Sequence, residues 1–91
     1  MPEVLFTIKL PDGMERNCYS PSTVVRSYFA AGDEMPVAEF LRRSREALAV
    51  ASERVRAKFG FSCSSAANQL EEIERWMRAY PAEATVRILE I

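Results

Sequence analysis

Cys63, followed by Ser64 and Ser65, is where this sequence comes nearest to covalent chemistry. If a helix starts at Ser64 or Ser65, the thiol sits at its positive end. There, unpaired amide N–H groups stabilise a thiolate, and the same groups can hold an anion beside the two hydroxyls. Free cysteine is nevertheless among the most buried residue types, and the structural reading of Cys63 is preferred. Cys18 follows Arg16 by two residues, which puts both on one face of a strand. A thiol beside a guanidinium could be activated, yet a core position in the strand is again the preferred reading.

The sequence contains no histidine, which decides much of the rest. The commonest general base and the commonest metal ligand are both missing. A Ser-His-Asp triad, a Cys-His pair and an HExxH metalloprotease helix are therefore excluded. No metal site and no cofactor are expected. Glu71, Glu72 and Glu74 fall on the polar side of a helical pattern with Arg75 and Arg78, the mark of a solvated face. Trp76, with Gln69 and Glu72, marks the border of that face. An amphipathic aromatic at such a border can anchor a partner or cap the edge of a sheet.

The elements that must position these residues are legible as periodicities. Residues 3–10 alternate, with Val4, Phe6, Ile8 and Leu10 on one side, which predicts a strand buried on one face. Pro11-Asp12-Gly13 predicts a tight turn, and residues 14–19 return as a second strand. Ser20 is the expected N-cap of a short helix, with Pro21 at its first position, the stripe Val24, Val25, Tyr28 and Phe29, and an end at Ala31-Gly32. Pro36 opens the longest helix. Its stripe is Val37, Phe40, Leu41, Ser44, Leu48, Ala51, Val55 and Phe59, and Gly60 is its C-cap. Ala47, Ala49, Ala51 and Ala57 are small enough to let another helix approach. After a connection at 61–65, Ala66, Leu70, Ile73, Met77 and Tyr80 form the stripe of a third helix, stopped by Pro81. Residues 85–91 are a last strand, expected to complete the sheet begun by the hairpin.

The order β-β-α-α-α-β predicts a single α+β domain over residues 1–91. Its expected core is a small, mostly antiparallel three-stranded sheet with one face covered by helices. A chain of this length buries a modest core, so a homodimer stays open. Its 12 Lys+Arg nearly cancel its 13 Asp+Glu, leaving a formal net charge of −1. That gives no field for a phosphate backbone, and nucleic-acid binding is not expected. No apolar run approaches a membrane span, and the opening residues do not read as a signal peptide. The expected location is the cytoplasm.

Three stretches carry a resemblance: Pro11-Asp12-Gly13 with Cys18-Tyr19-Ser20-Pro21-Ser22; Pro36-Val37-Ala38-Glu39-Phe40 with Ser44-Arg45; and Phe59-Gly60-Phe61-Ser62-Cys63-Ser64-Ser65-Ala66-Ala67 with Gln69-Leu70 and Ile73-Glu74. Together they resemble a family of small bacterial proteins named for a nitrogen-starvation response. The resemblance implies a companion of a nitrilase-containing gene cluster, which also encodes a radical-SAM-type and an acyltransferase-type protein and is linked to nitrile or cyanide use. It supplies no catalytic residue. It does place Cys18, Tyr19 and Ser20, and Cys63, Ser64 and Ser65, in motif-bearing segments. With Trp76 these form the candidate binding set. The leading expectation is a non-catalytic accessory protein that binds a protein of the same pathway or a small molecule. The alternative is a cysteine enzyme using Cys63 on a nitrile-derived substrate.

Overall fold

The computed structural model describes residues 3–60 and 64–91; the side chains of Phe59, Ser64 and Ser65 lie outside that description, as does all of 61–63, Cys63 included. β1 (Val4–Lys9) and β2 (Glu15–Ser20) form the expected hairpin, with Phe6 opposite Cys18 and Leu5 opposite Tyr19. Its turn follows from local chemistry. The Gly13 amide donates to the Leu10 carbonyl over 2.9 Å, and Asp12 Oδ1 accepts from the Met14 amide over 3.0 Å. Gly13 takes φ +93°, which a residue with a Cβ adopts only at a cost.

A short 3-10 helix, Thr23–Ser27, replaces the expected α-helix. Its N-cap is Ser22, whose Oγ accepts from the Val24 amide over 3.3 Å. Ser20 instead ends β2, buried, with its hydroxyl donating to the Ser22 carbonyl over 2.8 Å. The β-branched run Thr23-Val24-Val25 loses side-chain freedom in a helix and does not sustain more than this turn. Val25 and Phe29 are buried as expected, while Val24 and Tyr28 are half-buried.

The sheet has four strands, one more than the sequence reading gave. β3 (Glu34–Pro36) pairs with β4 (Thr85–Glu90), and β4 lies antiparallel to β1, in the order β2-β1-β4-β3. Three residues ending in proline carry no readable alternation, and proline is tolerated here because β3 is an edge strand. Pro36 is the N-cap of α1 (Val37–Phe59) and offers no side-chain bond. The amides of Val37 and Ala38 are satisfied by the carbonyls of Ala84 and Ala82, so the loop before β4 caps the helix. Gly60 closes α1 at φ +82°, its amide donating to the Arg56 carbonyl over 2.7 Å. α2 (Ser64–Met77) ends before Pro81 in a turn that carries Tyr80.

One face of the sheet is covered by the helices. Val4, Phe6, Ile8, Val86 and Ile88 pack against Val37, Phe40, Ala47, Leu48, Ile73 and Met77 in one core cluster. Phe29 bridges the layers, its ring centroid 6.0 Å from Phe6 and 5.3 Å from Phe40. Ala47 and Ala51 are buried, but Ala49 and Ala57 are exposed, so the small-residue face is half the one expected.

Candidate functional site

Of the candidate residues, Cys18, Tyr19, Ser20 and Trp76 lie on the edge strand β2 and on α2, which meet along a seam. The two elements run antiparallel along it. Tyr19 lies beside Gln69, whose Oε1 accepts from the Tyr19 amide over 2.9 Å. Three residues earlier in the strand and seven later in the helix, the Arg16 guanidinium sits 5.5 Å from the centre of the Trp76 ring. Gln69, Glu72 and Trp76 share one side of α2 because positions three, four and seven apart recur on one face. The alternation of β2 points Arg16, Cys18 and Ser20 toward the helix layer. Gln69 thus covers an amide on the edge of the sheet, where an open ladder would otherwise invite a foreign strand.

Cys18 is 2% exposed. Burial, with a further push from the Glu72 charge, raises its thiol from 9.0 to about 12. The neighbouring arginine therefore does not make a thiolate at neutral pH, and the activated reading of Cys18 fails for want of solvent. Tyr19 is half-buried and held through its backbone. Ser20 is buried and spent on the local turn to Ser22. Ser64 and Ser65 begin α2, in the turn before the Gln69 that meets the Tyr19 amide. Cys63, the candidate nucleophile of the alternative reading, lies outside the described residues.

Two donors in the seam are sealed from solvent without an acceptor, Arg16 Nε and Gln69 Nε2. At the Arg16 end, Asp12 Oδ2 accepts from the Tyr80 hydroxyl over 2.8 Å. The Met14 amide and then this hydroxyl hold the Asp12 carboxyl below its usual range. Sequence reading missed Arg16, Gln69, Asp12 and Tyr80 as members of one site. The helix border containing Gln69 and Trp76 was visible; the strand that would lie against it was not.

Shallow depressions open elsewhere. One of about 330 Å³ between α1 and α2 has Val37, Leu41 and Met77 on its floor and the Arg45–Glu74 ion pair, 3.0 Å, on its rim. Among the described residues no group of Cys, Asp and Glu is placed to hold a metal ion, and no helix is long and apolar enough to cross a membrane.

Fold and seam define a two-layer α+β protein with a helix-covered antiparallel sheet and a donor-rich site along its edge strand. The chain belongs to the nitrogen starvation-induced protein family NitG, whose model matches residues 5–91. The resemblance carried by the three motif stretches is borne out at that level. No curated protein and no solved structure matches the chain.

Proposed function

We propose that this member of the nitrogen starvation response is a non-catalytic accessory protein, binding a pathway protein or a small ligand through the β2–α2 seam. One observation carries the reading. The sequence has no histidine, and its Cys18 thiol is buried and pushed up to about 12, so among the described residues the seam offers donors and an aromatic platform but no activated thiol. Trp, Tyr and Arg are the residue types over-represented where binding energy concentrates. The narrower setting, nitrogen scavenging from nitriles or cyanide, follows from what the resemblance of the motif stretches implies. Native mass spectrometry of the tagged chain from its nitrogen-starved host tests the proposal. The expected result is a stoichiometric complex that weakens in Trp76→Ala while the variant's circular dichroism is unchanged. The chain recovered alone with a covalent adduct on Cys63 would overturn it in favour of a cysteine enzyme.

A further inference from the structure

The cations of this protein are mostly paired or fully hydrated. Arg42 and Arg43 meet Glu39, Arg45 meets Glu74, Arg56 meets Glu53 and Arg87 meets Glu34. Arg26, Arg54, Arg75 and Arg78 have no carboxylate partner but stand exposed, where water serves them. Among the described arginines, Arg16 alone is half-buried without a carboxylate within ion-pair distance. Its Nε is sealed from solvent with no acceptor, and its guanidinium lies within cation–π reach of Trp76. The nearby Asp12 is already committed to the Met14 amide and the Tyr80 hydroxyl. A half-desolvated cation held on a ring, with no carboxylate within ion-pair distance, is incomplete.

We infer that Arg16 is the carboxylate receptor of the seam, with Trp76 as its platform; this deepens the binding reading above and rests on it. The planar guanidinium fork matches a planar carboxylate through two parallel bonds, and stacking on the indole fixes its plane beforehand. The negative charge of Asp12, close enough to feel Arg16, opposes a phosphate dianion more than a singly charged carboxylate.

The sequence contains one tryptophan, so its fluorescence reads this site alone. Titration with sodium acetate should give a saturable change that sodium chloride at equal ionic strength does not reproduce. Arg16→Lys should weaken it about tenfold or more, since the charge remains but the fork is lost. Arg16→Met should abolish it, and Arg16→Lys decides if that variant unfolds. A blocked tetraglutamate peptide binding more tightly than acetate identifies the ligand as a carboxylate borne by a protein; no gain over acetate identifies a free small carboxylate. No saturable change with either probe, tighter binding of phosphate, or an undiminished response in Arg16→Lys would overturn the inference. If the native complex survives in Arg16→Lys while carboxylate binding is absent from the parent chain, the accessory reading stands and this inference alone falls.

Discussion

The inner face of the sheet and the seam beside it belong to one sheet yet obey different rules. Between β1, β4 and α1 the buried side chains are apolar: Phe6, Ile8, Val86 and Ile88 against Phe40 and Leu48. Between β2 and α2, a guanidinium, an amide, a thiol and an indole lie along one seam, and two of their donors lack acceptors. The first region minimises free energy by excluding water. The second leaves some of that free energy unrealised, as a surface does when it is complete only with something bound. Stability thus resides in one half of the layer, and the proposed binding surface lies in its neighbour.

Truncating the inner face should break the comparison at its strongest point. Phe40 is fully buried and touches the Phe29 ring, so Phe40→Ala removes both transfer energy and aromatic contact. A loss of about 3–5 kcal/mol is expected, read as a lower midpoint in chemical denaturation, and a domain this small then sits near its unfolding threshold. A cost under about 1 kcal/mol would mean that the sheet face is not the centre of the core. On the neighbouring position of β1, Leu5 is 72% exposed on the other side of the sheet. Leu5→Lys should therefore stay within about 0.5 kcal/mol of the parent.

These contrasts also separate what the sequence discloses from what it withholds. The hairpin was legible because its causes are local: strict alternation in Val4, Phe6 and Ile8, and turn chemistry at Pro11-Asp12-Gly13. So was α1, since Pro36 and Gly60 mark its two ends and the stripe repeats between them. β3 was not legible, because three residues become a strand only when β4 arrives from fifty positions later in the chain. Ser20 was misread as a cap since Ser22 has the same chemistry, and only the length of β2 decides between them. The border position of Trp76 followed from the period of its helix. Its contact with Arg16 did not, because the register of a helix on a strand is a tertiary fact.

Cys18 stands where the two regions meet and should respond between them in size. Cys18→Ser puts a polar hydroxyl into a site that is 2% exposed among core side chains, and a loss of about 1–3 kcal/mol is expected. The parent chain carries a pH signature as well. Burial pushes its thiol up to about 12 in the fold, against an ordinary value of 9.0. Below pH 9.0 both states are protonated and the group contributes nothing to the slope. Above it the unfolded chain ionises first, so stability falls as pH rises toward about 12. In Cys18→Ala that decline should be shallower, measured by denaturant midpoints across the window. An unchanged slope would place the Cys18 thiol in contact with water.

The smallest expected effect is the sharpest test of the seam. Gln69 holds the Tyr19 amide with one end and leaves the other end unsatisfied, so removing it loses one bond and relieves one orphan. The two terms nearly cancel, and Gln69→Ala should change global stability by no more than about 1 kcal/mol. Hydrogen exchange separates what stability cannot. The Tyr19 amide should exchange much faster in Gln69→Ala, while the amides of β1 and β4 keep their protection. If protection falls across the whole sheet, the seam is part of the core and the division between the two regions fails. If it falls at Tyr19 alone, the edge of β2 is held by a single side chain that an arriving partner could displace or complete.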